Sequence, residues 1–151
     1  MSIWVLVSDA SRAEIYSTEK QGDEWRVVGS YQHPESRLKN SDLTSTEPGH
    51  SSKSRGDSRR TAFESETSPK QVEMEHFAQQ LADVLAAGTT ERRCETIALV
   101  APPHFLGLLR HRLSSETAKH ILATVDKDLT FANAHEARQR LEEIIFAPVN
   151  H

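Results

Sequence analysis

The chain has 151 residues, and its 18 Lys and Arg against 22 Asp and Glu give a formal charge of −4. The length fits one domain of ordinary size, 1–151, and the acidic balance excludes a protein coated in positive charge for wholesale nucleic-acid binding. The single cysteine excludes an intrachain disulfide and indicates the reducing cytoplasm. The apolar run over 3–7 is too short for a membrane span or a secretory signal. We therefore expect a cytoplasmic protein without membrane contact.

The first part of the chain predicts an antiparallel meander of three short strands, over 3–7, 13–17 and 25–31. Asp9 and Ser11 occupy turn positions after the first strand, and Gly22 supplies the turn after the second. The first strand is continuously apolar, whereas the second alternates polar and apolar residues. We therefore expect the first strand at the centre of a sheet and the others further out.

A change of composition marks residues 33–68, which hold nine serines, two prolines and two glycines. The stretch has few apolar side chains, and their burial cannot offset the cost of ordering its backbone, ~1–2 kcal/mol per residue. The stretch therefore predicts a long flexible loop, and loops of this length in a small domain are usually functional or disordered.

Within that loop, residues 48–62 carry four cations against Asp57 alone. The cations are Lys53, Arg55, Arg59 and Arg60. A basic stretch on an acidic protein suggests contact with a phosphate backbone. The alternative is that Ser, Arg and Gly only keep a loop soluble, and no aromatic interleaving supports base stacking, since Phe63 stands alone.

Helix signals follow the loop. Ser68 can cap a helix that has Pro69 at its first position and Gln71 where a capping box needs it, and Gly88 reads as its C-terminal stop. Its apolar face comprises Met74, Phe77, Ala78, Leu81, Val84 and Leu85. A buried strand over 96–101 comes next.

Two prolines, Pro102 and Pro103, end that strand and begin a second helix. Inside this helix Gly107 costs about 1 kcal/mol relative to alanine, so we expect it to serve close packing. The pair Ser114 and Ser115 marks the end of the helix or a short further turn, and a fifth strand is predicted over 121–125. A second capping box, 133–136, begins a last helix with the apolar face Ala137, Leu141, Ile144 and Ile145.

The predicted order is β-β-β-α-β-α-β-α. Because each β-α-β crossover returns its strand parallel and right-handed, this order implies a mixed five-stranded sheet of the α/β class. A ribonuclease-H-like or ribosomal-protein-like sandwich fits it, although fold alone does not define function.

Carboxylates at strand ends raise the possibility of a metal-dependent nuclease. Asp9 follows the first strand, and Asp126 and Asp128 follow the fifth, as a two-metal site would require. The same residues also suit a hairpin turn and a strand exit. We favour the structural interpretation and predict no metal and no catalytic residue.

The histidines and the cysteine are equally ambiguous. His104 and His111 share a helix face, but the spacing of a dedicated zinc site is missing from the sequence. Cys94 follows Arg92 and Arg93, which could lower its pKa, yet it has no nucleophile setting. We predict no cofactor.

Several stretches together resemble the bacterial host attachment protein family. They lie at 33–37, 68–70, 77–82, 99–110 and 126–130, and the resemblance extends over nearly the whole chain. The most specific stretch is the run Ala-Pro-Pro-x-Phe-Leu-Gly-x-Leu-Arg, whose characteristic positions are Pro102, Pro103, Phe105, Leu106, Gly107 and Arg110.

That family is similar to the middle domain of archaeal and eukaryotic peptide-chain release factors, which implies the same α/β fold. The resemblance places the 33–68 loop where release factors carry the tripeptide Gly-Gly-Gln. The sequence contains no such tripeptide, because Gly49 and Gly56 are isolated, so peptide-release catalysis does not carry over. The family name implies a role in attachment to host cells.

Three functional hypotheses follow. The first is a non-catalytic, translation-associated module that binds the ribosome or tRNA. Its candidate contacts are Arg37, Lys53, Arg55, Arg59, Arg60 and Arg110. The second is a protein-interaction factor that influences attachment to host cells, and the third is a residual metal-dependent nuclease or hydrolase.

Overall fold

A computed structural model describes residues 2–33 and 68–147 of the chain. In these residues the chain forms strands and helices that we label β1 (Ile3–Ser8), β2 (Arg12–Thr18), β3 (Arg26–Gln32), α1 (Pro69–Thr90), β4 (Thr96–Val100), α2 (Pro103–Arg112), α3 (Ser115–Ala118), β5 (Ile121–Val125) and α4 (Ala134–Ile145). Helix α3 is the short further turn that Ser114 and Ser115 suggested. None of the helices in the described ranges is both long and apolar enough to cross a membrane.

The strands form the predicted mixed five-stranded sheet, in the order β3-β2-β1-β4-β5. Neighbours β1, β2 and β3 pair antiparallel, whereas β4 runs parallel to β1 and β5 parallel to β4. All six residues of β1 are buried. Strand β1 is therefore central, as its continuous apolar sequence predicted, because a strand covered on both faces needs apolar side chains on both.

Helices cover both faces of the sheet, and the period of two in β1 divides its side chains between them. Trp4 and Leu6 pack with α1 and α2, while Val5 and Val7 pack with α4. Tyr16 lies on the α4 face, 2% exposed, so β2 is buried more completely than its alternating sequence indicated.

The start of α1 follows the sequence, but its end does not. The Ser68 hydroxyl accepts the amide N–H of Gln71 at 3.1 Å, although the Gln71 side chain bonds to Glu75 and leaves the capping box half formed. The prediction that Gly88 ends α1 is wrong, since the helix continues to Thr90 and Gly88 is buried within it. Trp4 is the reason: an added Cβ at Gly88 would lie 2.4 Å from its Cζ3.

Two further expectations are corrected. Nothing lies within 4 Å of a Cβ built on Gly107, so this glycine does not serve close packing. Ile144 is 46% exposed because Ile145 takes the central place on the buried face of α4 and Ile144 falls at its border. The capping box of α4 is confirmed, with Asn133 and Glu136 bonding to each other's backbone N–H.

Candidate functional site

One edge of the sheet gathers the features that the sequence singled out. Strands β1 and β4 end there, and α1 and α2 begin there side by side, with Gln71 of α1 bonded to His104 of α2 at 3.1 Å. Strand β3 also ends there, because Gln32 pairs with Arg12 at the start of β2. We call this the carboxyl edge. Open α/β sheets bind ligands at such an edge, where strands end and helix N-termini converge.

His33, the last described residue before residues 34–67, is held firmly at the carboxyl edge. Its backbone N–H donates to the Ser11 carbonyl at 2.7 Å, and its ring Nε2 lies 2.8 Å from Glu73 Oε1. The ring also stacks on Phe77, with centroids 5.7 Å apart and planes 17° from parallel. Since Ser68 caps α1 at the same edge, both ends of the intervening stretch are anchored on one side of the domain.

The hydrogen bond from His33 holds the pKa of Glu73 below its ordinary value, and His76 at 3.6 Å acts in the same direction. Glu75, also on α1, has a lowered pKa as well. Its pKa is lowered by a hydrogen bond from Gln71 and by Arg112, whose Nη2 is 3.0 Å away. The two carboxylates are thus stabilised in their charged form.

We expect Glu73→Gln to destabilise the protein more at neutral than at acid pH. A carboxyl that titrates lower in the folded than in the unfolded chain, where its pKa is 4.5, stabilises the fold above that value. This contribution is lost as the pH falls through the folded pKa. Urea unfolding at about pH 7 and about pH 3.5 measures the difference. Glu143→Gln, at an exposed residue of α4, is the control, and an equal loss at both pH values would contradict the prediction.

The family-like motif divides into structural and exposed positions. Pro102 caps α2 and accepts the N–H of Leu106 at 2.8 Å, and Phe105 packs on Phe77 with centroids 5.8 Å apart. Pro103 begins the helix. Gly107 and Arg110 are exposed instead, and both border a groove of about 490 Å³ between α2 and β5. The first part of the motif therefore builds the fold, and the second part is available to a ligand.

Of the predicted cationic contacts, only Arg110 falls within the described residues. Arg37, Lys53, Arg55, Arg59 and Arg60 lie outside them. Arg110 lies in the last turn of α2, ~10 Å along the helix from Pro103, and so is not at the carboxyl edge itself. Its neighbour Arg112 is engaged with Glu75.

Two of the three aspartates considered for a metal site, Asp9 and Asp128, form local hydrogen bonds. Asp9 Oδ1 accepts the N–H groups of Ser11 and Arg12 at 2.8 and 2.9 Å, as a turn residue should. Asp128 Oδ1 accepts the N–H and the hydroxyl of Thr130. Asp126 is exposed. Across residues 2–33 and 68–147, no group of three or more His, Cys, Asp or Glu side chains could hold a metal ion.

The environment of Cys94 is that of a buried structural residue. Burial raises the pKa of the Cys94 thiol to about 11, and the opposing effect of Arg93 is smaller. A thiol with this pKa is protonated at neutral pH and is a poor nucleophile. His104 and His111 are both exposed, and His104 is engaged with Gln71.

Sequence reasoning missed a cavity of about 430 Å³ at the carboxyl edge, on the α4 face of the sheet. Its walls come from β1, β2, the end of β3 and the loop before α4; they include Arg12, Glu14, Tyr16, Ser30, Tyr31, Gln32, Thr130, Phe131 and Asn133. The Glu14 carboxylate accepts the Tyr16 hydroxyl at 2.8 Å and the Ser30 hydroxyl at 3.2 Å. Burial raises the pKa of Tyr16, and the Glu14 carboxylate raises it further. The Tyr16 hydroxyl therefore stays protonated and donates its hydrogen bond.

Phe131 borders this cavity with 62% of its surface exposed. The guanidinium of Arg140 lies 5.7 Å from the centre of its ring. A signal was present in the sequence: an aromatic residue stands between a strand exit and the helix cap at Asn133, outside any apolar face.

Three comparisons with known proteins show what this chain is similar to. A search of the curated proteins finds no match. Among solved structures, the crystal structure of an archaeal translation termination factor, aRF1, is similar with a TM-score of 0.49 and 11% identity, over 94% of this chain and 34% of that one. The chain thus spans about a third of that protein's length. A family model described as "protein required for attachment to host cells" matches residues 4–141. The chain therefore belongs to this host attachment family, as its Pro-Pro-x-Phe-Leu-Gly motif suggested.

Proposed function

We propose that this protein is a non-catalytic, RNA-binding module that contacts the ribosome or tRNA. The cations of residues 48–62 and Arg110 make its phosphate contacts. The observation that carries the proposal is the anchoring of both ends of the 34–67 stretch, through His33 and Ser68, on the carboxyl edge. Residues 48–62 lie in the sequence between His33 and Ser68, so both attachments of this basic stretch to the described domain are at the carboxyl edge.

The distribution of charge supports the same interpretation. Residues 48–62 hold four cations against one acid, whereas the rest of the chain holds 14 Lys and Arg against 21 Asp and Glu. An RNA backbone is therefore repelled by most of the protein and attracted by this stretch. Lys and Arg that neutralise phosphates release counterions, so the binding weakens steeply with salt.

The test compares the full chain with Arg59→Glu/Arg60→Glu in binding to purified ribosomes and to tRNA. We expect the double variant to lose at least about tenfold in affinity at low salt. We also expect the slope of log affinity against log salt to fall by about 1–2, because each phosphate contact contributes about 0.7–0.9. Unchanged binding at every salt concentration would overturn the proposal.

A matched control makes the same change of charge elsewhere. Lys20→Glu/Arg26→Glu alters two exposed cations at the turn between β2 and β3, at the opposite end of these strands from the carboxyl edge. We expect this variant to bind within about twofold of the original protein, with an unchanged slope. An equal loss of affinity in both variants would indicate that only the net charge of the protein affects the binding.

The family match favours a second candidate, a protein partner through which the chain influences attachment to host cells. Binding to a protein would show little salt dependence and a negative heat-capacity change from apolar burial. Capture of ribosomal proteins together with RNA from a lysate would count against this candidate.

A further inference from the structure

We propose that the cavity beside Phe131 binds one unpaired base of the RNA, and that it prefers bases with an exocyclic amino group. The inference rests on the proposed function for its ligand class. It adds a second kind of contact, because the cations supply affinity for any RNA backbone while this cavity would hold a base.

The size and the aromatic wall of the cavity suit a base. A volume of about 430 Å³ falls within the range of about 300–1,000 Å³ typical of small-molecule sites. Phe131 is the most exposed large apolar side chain among the described residues, at 62%. Arg140 lies 5.7 Å from the centre of this ring and is not among the residues that line the cavity. Bases stack on such rings whatever their sequence.

The opposite wall supplies an acceptor held in place. Glu14 is fixed by hydroxyl donors on both oxygens, Tyr16 on one and Ser30 on the other, and Tyr16 is itself only 2% exposed. An ionised carboxylate only accepts hydrogen bonds, and each oxygen retains a free lone-pair position. It therefore pairs with the amino groups of cytosine, adenine or guanine. Uracil has no amino group, and its N3–H donor is flanked by two carbonyls, which a carboxylate repels.

A cation also lines the cavity. Arg12 lines the same cavity; its Nη2 is 3.4 Å from the Thr130 hydroxyl, and its Nε is 3.7 Å from Asp9. These contacts leave the Arg12 side chain 46% exposed, and its guanidinium can donate to a phosphate. Tyr31 and Gln32, on the cavity wall, directly precede His33, the last described residue before the 34–67 stretch.

The experiment titrates fluorescein-labelled octamers of cytidine, adenosine and uridine with the full chain and its variants at several salt concentrations. We expect Phe131→Ala to weaken binding to the cytidine octamer by about 5- to 150-fold, the effect of losing one stacked base. Phe131→Tyr, which keeps the ring, should bind within about twofold of the original. Glu14→Gln should reduce the preference for cytidine over uridine.

Leu122→Ala is the matched control, since Leu122 is 43% exposed on β5, away from the cavity. Because Phe131→Ala removes no charge, the salt slope should stay unchanged, which separates its effect from that of the arginine variants. If the protein binds the octamers and Phe131→Ala binds them equally well, this inference fails and the proposed function stands. If the original protein binds ribosomes or tRNA but none of the octamers, this inference fails and the proposed function stands. If it binds neither the octamers nor ribosomes nor tRNA at any salt concentration, both fail. If Phe131→Ala changes self-association in sedimentation instead of RNA affinity, the exposed ring is an interface between copies and the inference is overturned.

Discussion

Replacing Phe77 by alanine should lower the free energy of unfolding by about 3–5 kcal/mol, the usual cost of removing a fully buried aromatic ring. Phe77 is 0% exposed. It lies between the His33 ring on one side and the Phe105 ring on the other. The substitution therefore opens a cavity in the core and removes the surface on which His33 stacks.

Urea unfolding followed by circular dichroism measures this effect, through a lower midpoint at an unchanged slope. Val72→Ala is the control, because Val72 is 37% exposed on the same helix and should cost less than about 1 kcal/mol. Phe77→Leu, which keeps most of the volume, should lose an intermediate amount and covers the case in which Phe77→Ala does not fold. A loss below about 1 kcal/mol for Phe77→Ala would contradict the packing described here.

Gly88→Ala should destabilise the protein by about 1–3 kcal/mol, although alanine is the better helix former by about 1 kcal/mol. The new methyl group would lie 2.4 Å from Cζ3 and 2.6 Å from Cη2 of Trp4. Trp4 cannot easily move aside, because it is 4% exposed and the Arg93 guanidinium lies 5.5 Å from its ring centre. The cost of overpacking against Trp4 therefore exceeds the gain in helix propensity.

Two comparisons test this explanation. In a Trp4→Phe background the cost of Gly88→Ala should shrink, because the smaller ring leaves room for the methyl group. Gly107→Ala makes the same substitution in α2, where nothing lies within 4 Å of the added Cβ, and it should stabilise the protein by about 1 kcal/mol. Thermal unfolding measures the change in midpoint temperature, which should fall for Gly88→Ala and rise for Gly107→Ala. A change of the same sign in both variants would contradict the explanation.

The local signals in the sequence predicted the elements well. Ser68 and Pro69 begin α1, and Asn133 and Glu136 begin α4 through a complete capping box, because these interactions join residues within one helical turn. The apolar run over 3–7 predicted a central strand for the same kind of reason, since its neighbours must cover both of its faces.

The two helical glycines show where local reasoning stops. Gly88 and Gly107 each stand inside a helix, and sequence analysis assigned the stop to the first and the packing role to the second. The structure reverses the packing assignment, because Trp4, 84 positions earlier in the chain, packs against Gly88 and nothing packs against Gly107. No pattern within either helix contains that information.

The candidate site divides in the same way. The sequence by itself determined the order of strands and helices, the cationic stretch over 48–62 and the family motif, because all three are carried by neighbouring residues. Only the tertiary structure decided that Glu14 faces Ser30 across two strands and that Phe131 closes the same cavity. The physical reason is that pairing register and helix packing bring together side chains from segments more than a hundred positions apart, and the free energy of those contacts is absent from any single segment.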